Sequence, residues 1–161
     1  MKNTTPHWIT IGVLIAIIAA IGVKFIVLGS TATGDDGRTA VLLDKAERKF
    51  ILDEMQMLLA TTQEIVEGLA RNDMQQVEEA ASSMGREAKD TVDFKLRAKL
   101  PLEFKKLGFA THDDFDQIAE MAQSNQPRES IQLRLAQTMN NCIACHAAFQ
   151  LPEIISKGEN L

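Results

Sequence analysis

The most chemically specific residues of this chain are Cys142, Cys145 and His146, in the run Cys-Ile-Ala-Cys-His. Two cysteines separated by two residues and followed directly by a histidine form the attachment signature of a c-type haem. The two thiols add to the vinyl groups of the porphyrin as thioethers, and the histidine offers a ring nitrogen to the iron. The sequence therefore predicts one covalently bound haem c.

Two other interpretations of the run are a reactive thiol pair and half of a zinc site. A structural zinc site needs two further Cys or His ligands at similar spacing. The run already contains both cysteines of the chain, and the remaining histidines, His7 and His112, have no such neighbours. The spacing therefore favours haem attachment over zinc.

The position of the motif near the C-terminus limits where a second axial ligand can come from. Residues 147–161 contain neither methionine nor histidine, and all seven methionines precede the motif. Met139 lies three residues before Cys142 and should share its helix, which places it on the attachment edge of the porphyrin. A sixth ligand to the iron must therefore come from a different, earlier segment.

Met55 is our preferred candidate for the sixth ligand. It belongs to a helical row of residues spaced alternately four and three apart: Ile51, Met55, Leu58, Thr62, Ile65 and Leu69. Met57 lies about 200° around the same helix, so both methionines cannot face one ligand. Two alternatives stay open, namely Met55 as a gap-filling core residue and an empty distal site beside Leu52.

The elements that must position these residues are predicted to be helices, and no strand pattern is visible. The first helix runs from about Thr39 to Arg71 and is ended by Asn72. Asp73 is a good N-cap for a second helix, whose small and apolar row is Val77, Ala81, Met84 and Ala88.

The second half of the chain predicts two further long helices. Gly108 is expected to stop a short helix that follows Pro101, and Thr111 to cap the third long helix. His112, at that helix start, is then expected to be a surface or capping residue. A turn at residues 124–127 leads into the fourth helix, which carries the haem motif and closes at Pro152.

The N-terminal segment from Trp8 to Gly29 is nearly continuous apolar sequence, long enough to cross a bilayer. Lys24 interrupts it near the far end, where its stem can reach the interface. Lys2 before the segment and two aspartates after it favour an N-in, C-out orientation. Signal peptides have shorter apolar regions, so an uncleaved anchor is favoured over a cleaved signal. Gly12, Ala16 and Ala20 form a small-residue row that could pack a partner helix.

Together these patterns predict an all-α protein, an antiparallel up-down-up-down four-helix bundle preceded by a single transmembrane helix. The expected divisions are an anchor or uncleaved signal over 1–29, a linker over 30–38, a haem-binding bundle over 39–152 and a tail over 153–161.

The charge distribution narrows the class of partner. The net charge is −5 and no basic stripe is present, which argues against nucleic acid. A basic cluster precedes the third long helix and could pair with haem propionates or an acidic redox partner, or be an ordinary solvated face: Lys95, Arg97, Lys99, Lys105 and Lys106. No Ser/His/Asp set and no phosphate loop occurs, so an enzyme is not expected.

The motif and its setting resemble cytochrome c′ and its relatives, the class II cytochromes c. The resemblance covers roughly residues 39–152, and the run from Cys142 to Phe149 is similar to the family's C-x-A-C-H-x-x-aromatic pattern. Two departures are visible. Gln150 stands where the family often has Arg or Lys, and the family's spacing from Arg48 points to Leu52 rather than to a methionine.

The resemblance implies a four-helix bundle with the haem between helices near one end. Together with the apolar N-terminal segment, which is an addition to the family's usual plan, it leads us to expect a membrane-tethered electron carrier in the bacterial inner membrane, single-pass, with its haem domain in the periplasm. Expected partners are redox proteins at the membrane, with a homodimer as an option. The first alternative is a five-coordinate cytochrome c′ that binds NO or CO, and the second is a haem subunit of a larger respiratory complex.

Overall fold

The computed structural model describes residues 5–85 and 92–153, and within them the chain is mostly α-helical. The predicted tail falls outside these residues except for Glu153, as do Lys2 and Ala88. The helices are α1 (Thr5–Gly22), α2 (Lys45–Arg71), α3 (Met74–Ser83), α4 (Phe94–Lys99), α5 (Leu102–Gln123) and α6 (Arg128–Ala148).

The N-terminal helix continues without a break into a π-helical segment, Val23–Leu28. From His7 to Leu28 it is long and apolar enough to cross a membrane, and none of it is buried against the rest of the chain. A signal sequence near the N-terminus can pass the same test of length and apolar composition. The predicted apolar N-terminal helix is therefore confirmed, while its membrane role stays a prediction.

A small sheet links the two ends of the helical domain. Strand β1 (Thr31–Thr33) pairs antiparallel with β2 (Thr39–Val41), and β2 pairs parallel with β3 (Phe149–Gln150). The expectation of no strands, and of a helix starting at Thr39, was wrong. The helix starts six residues later, where Asp44 and Glu47 form a reciprocal capping box. Val41, before that cap, is fully buried as a strand residue.

The predicted break between the first two helices is confirmed. Asn72 adopts a left-handed conformation with φ of 58°, and the Asp73 side chain accepts from the backbone N–H of Gln76. Gly68 is needed at this corner because a Cβ there would come within 2.8 Å of the Val77 side chain. The corner therefore folds α3 tightly back onto α2.

The predicted stop at Gly108 is wrong, because α5 runs through it unbroken. Thr111 is not an N-cap, and its hydroxyl donates to the Leu107 carbonyl at 2.9 Å, inside the helix. A glycine within a helix costs only about 1 kcal/mol relative to alanine. Burial of Phe104 and Phe115 on either side of it outweighs that cost.

The long helices enclose two apolar clusters. Helix α5 packs against α3 and α6, and α2 packs against α3 and, less closely, α6. The far core, away from α1, is centred on Ile65, Leu69, Val77, Phe115, Ile118, Ile131 and Leu135. The near core, beside the exit of the N-terminal helix, comprises Val41, Leu43, Ile51, Val92, Leu96, Leu100 and Phe104. Met55, Cys145 and Phe149 pack against the near core.

Candidate functional site

A cavity of about 520 Å³ lies between α2, α5 and α6, at the junction of the two cores. Its volume falls in the usual range for cofactor and small-molecule sites. Most of its wall is apolar, including Leu52, Leu58, Phe104, Leu107 and Phe115. The cavity opens to the surface along one side of α6.

Helix α6 brings all three residues of the haem motif to this cavity: Cys142, Cys145 and His146 line it. On a helix, Cys142 and His146 are one turn apart on nearly the same face, and Cys145 lies beside them. Cys142 and His146 are exposed and Cys145 is half-buried. The three groups therefore lie along the mouth of the cavity.

Both cysteines are free thiols whose environment favours the neutral form. Burial raises the pKa of Cys142, and burial together with the nearby Cys142 raises the pKa of Cys145 to about 11. At neutral pH both sulfurs are therefore weak nucleophiles by themselves, because the thiolate is the reactive form. This argues against the interpretation of the motif as a reactive thiol pair.

The structure places Met55 and Leu52 in the cavity wall and leaves Met57 outside it. Met55 is half-buried, whereas Met57 is 52% exposed. Met139 also lines the cavity but lies on α6, the helix of the cysteines. Both candidates for the distal position, thioether and leucine, thus face the same space, and Met57 is excluded from it.

The prediction that His112 lies at the surface was wrong. It is only 4% exposed and lines the cavity. Its Nδ1 lies 2.7 Å from the Met84 carbonyl oxygen, and its Nε2 lies 3.2 Å from Oε1 of Glu54. Its burial follows from the continuity of the helix across Gly108, because residues three apart, here His112 and Phe115, then lie on the same buried face.

His112 and Glu54 form a polar pair in the wall of the cavity. A carbonyl oxygen only accepts, so Nδ1 of His112 carries hydrogen and donates to Met84. Nε2 faces the Glu54 carboxylate at 3.2 Å. The two side chains therefore bring polar atoms into a mostly apolar wall.

The segment behind His146 is fixed by the hairpin of β1 and β2. The Arg38 guanidinium donates to the carbonyl oxygens of His146 at 3.1 Å and Phe149 at 3.3 Å. Asp36 accepts from the Arg38 Nε and from Gln150 Nε2, the latter at 2.9 Å. The Arg38 hydrogen bonds hold the pKa of Asp36 below its usual value. The contacts of Arg38 with His146 and Phe149, and of Asp36 with Gln150, join residues more than a hundred positions apart, so no local sequence signal indicates them.

The cavity fits a flat, mostly apolar prosthetic group. Gly108 lines it, and a Cβ built there meets nothing within 4 Å, so this part of the wall is open. Among residues 5–85 and 92–153, no three or more His, Cys, Asp or Glu side chains are grouped to hold a bare metal ion. One imidazole and two thiols beside a cavity of this size match covalent haem attachment better than a zinc site.

Compared with known proteins, the chain matches no family model, no curated protein and no solved structure. The functional argument therefore depends on the motif and on the geometry around it.

Proposed function

We propose that the protein is a membrane-tethered c-type cytochrome that carries electrons through one covalent haem. The observation that carries this proposal is the convergence of Cys142, Cys145 and His146 on one cavity with Met55. The packing of α2, α3, α5 and α6 supports the antiparallel four-helix bundle expected from the class II cytochromes c. The small sheet is an addition to that plan.

Each residue of the site has a distinct task in this proposal. Cys142 and Cys145 hold the group at the cavity mouth as thioethers, and His146 offers its imidazole to the iron from the same helix. When bound, the group supplies one-electron chemistry between Fe(III) and Fe(II). Arg38 positions the end of α6 by donating hydrogen bonds to the carbonyl oxygens of His146, in its last turn, and of Phe149, directly after it.

The cavity wall controls what reaches the iron. Apolar side chains of α2 and α5 would exclude water from the bound group, and Met55, in the same cavity wall, could supply a soft thioether ligand, which would raise the reduction potential. Ile143 is 65% exposed between the two cysteines. In this proposal, electrons would pass to and from a partner protein at this exposed edge.

A second candidate function is a five-coordinate protein that binds NO or CO. The observation that favours it is Leu52 in the cavity wall, together with the polar pair of His112 and Glu54, which could contact a bound ligand. A haem subunit of a larger respiratory complex is a further alternative. Gly12 on the exposed N-terminal helix has open space around it, as a helix–helix contact would need.

The proposed location is the bacterial inner membrane, with the N-terminus inside and the helical domain in the periplasm. The mature protein should start near Met1 and sediment with membranes in high salt. An N-terminal sequence beginning at Thr33 would show instead that the apolar segment is a cleaved signal.

Haem attachment is tested by denaturing the purified protein and recording its alkaline pyridine spectrum. We expect the haem to stay with the wild-type chain and to be lost from the Cys142→Ala, Cys145→Ala double variant. Ile143→Ala, between the two cysteines, is the matched control and should keep its haem. Haem extracted from the wild type by acid acetone would contradict the proposal.

A further inference from the structure

The C-terminal end of the N-terminal apolar helix is hydrogen-bonded to the helical domain. The Ser30 backbone N–H donates to the Lys99 carbonyl at 2.7 Å, and Lys105 Nζ donates to the Ile26 carbonyl at 3.0 Å. Gly29 has a φ of +65°, and a Cβ there would overlap the Lys99 carbonyl oxygen. Helix α4 and the start of α5 therefore lie directly against the end of the apolar segment.

Phe94, the first residue of α4, is 80% exposed, more than any other large apolar residue among those described. Helix α4 has six residues, so Phe94 lies within about 8 Å along the helix axis of Lys99, where the apolar segment exits. Leu96 and Leu100 are buried in the near core and fix the orientation of this short helix. The exposure of Phe94 is therefore set by the fold.

Two lysines lie in this part of the domain. Lys95 follows Phe94 in α4 and is exposed, and Lys105 donates a hydrogen bond to the Ile26 carbonyl at the end of the apolar segment. Burial lowers the pKa of Lys105. By contrast, Lys106 is paired with Glu103 at 2.8 Å, and Lys99 with Glu47 at 2.6 Å.

An exposed aromatic ring beside lysines, at the end of a membrane-crossing helix, has the composition of a membrane interface. Aromatic rings lie at the level of the lipid headgroups, and lysines near the surface are attracted to anionic lipids. We infer that α4 and the start of α5 form a second membrane contact. Phe94 enters the headgroup region, and the exposed Lys95 binds the phosphates of anionic phospholipids.

This inference rests on the proposed membrane anchor but not on haem attachment. Its consequence is a fixed height for the cavity. Phe104, Leu107 and Gly108, within the first two turns of α5, line the cavity. The second contact therefore holds the haem site close to the bilayer instead of letting it swing on a flexible linker.

The test is lipid photo-cross-linking of the full-length chain in nanodiscs of anionic phospholipid. The photoreactive residue p-benzoylphenylalanine replaces Phe94 in one variant, Trp8 within the span in a second, and Val66 in a third. Val66 is 53% exposed on α2, near the far core, and is the matched control. We expect lipid adducts at positions 8 and 94 and at least about tenfold less adduct at 66, which lies away from the interface.

The charge contribution is measured on the position 94 variant. Lys95→Glu should lower its adduct yield about fivefold in anionic nanodiscs, the effect expected for a lysine at such a surface. Arg71→Glu, exposed at the far end of α2, should leave the yield unchanged. An equal yield with and without Lys95→Glu would overturn the role of the basic side chains.

The outcomes separate this inference from the proposed function. Adducts at position 8 without adducts at 94 would overturn the second contact and leave the anchor standing. No adduct at either position would overturn both the anchor and the contact. The pyridine spectrum of the same samples reports haem attachment independently of either result.

Discussion

The two apolar cores of this molecule are built for different tasks. The far core contains fully buried side chains from four helices, such as Ile65, Val77, Ile118 and Ile131. The near core includes strand residues and packs against Cys145 and Met55. The difference shows that one core joins the helices to each other, whereas the other joins them to the strands and to the residues of the site.

A large effect on stability is expected at the polar pair between the cores. His112→Leu leaves Glu54 without its partner and should lower the free energy of unfolding by about 3 kcal/mol, the lower end for a broken buried pair because Glu54 keeps some exposure. The double variant with Glu54→Leu should recover most of this loss. Urea unfolding of the three proteins measures it, and an additive double variant would show that the two groups are not coupled.

The far core should respond to truncation without any change in the site. Ile118→Ala should destabilise the protein by about 2–5 kcal/mol, because Ile118 has no exposed surface and its loss leaves a cavity. The absorption spectrum of the folded variant should stay that of the wild type. Val66→Ala, at an exposed position on α2, is the control and should change stability by less than about 0.5 kcal/mol.

Substitution of Met55, on the part of α2 that lines the cavity, should change the absorption spectrum, unlike truncation in the far core. If Met55 ligates the iron, Met55→Ala should convert a low-spin ferric spectrum to a high-spin one and open a site for CO. Met121→Ala, a half-buried methionine that packs against the far core, should leave the spin state unchanged. A wild-type protein that is already high-spin and binds CO would assign the distal position to Leu52 and the function to gas binding.

The smallest effect is a pH dependence of the chain without haem. The pKa of Cys145 is raised from 9.0 to about 11, so the folded state favours the neutral thiol. This contribution to stability is fully present below pH 9 and is lost as the pH rises towards 11. The unfolding midpoint of the haem-free chain should fall in that window. Cys145→Ala should show a smaller fall, and an identical profile for both would contradict the assignment.

The sequence was sufficient for features that depend on local signals. The apolar N-terminal helix, the break at Asn72-Asp73 and the turn at residues 124–127 all follow from composition, caps and turn residues. The row containing Met55 was also predicted to face inward, and the structure places Met55 in the cavity wall. Helical periodicity carries this information because one buried face repeats every 3.6 residues.

The features that the sequence did not reveal depend on distant contacts. The sheet pairs Thr39 with Phe149, and strands of two or three residues are too short to show an alternating pattern. Gly108 was expected to end a helix, yet packing on both sides keeps α5 continuous. Because α5 is continuous, His112 lies in the cavity wall and not at the surface, and its polar pair with Glu54 was not predicted.

The parallel pairing of β2 with β3 has a consequence for biosynthesis. Strand β3 follows His146 by three residues, so the sheet can close only after Gln150 has left the ribosome. Until β3 pairs with β2, the strand that contains Val41 lacks this neighbour, and proteases can reach it. We expect a chain truncated after Ala148 to be cleaved near the β1–β2 hairpin in limited proteolysis while the full-length chain resists. Pairing of the last strand would thus protect the completed chain from proteolysis.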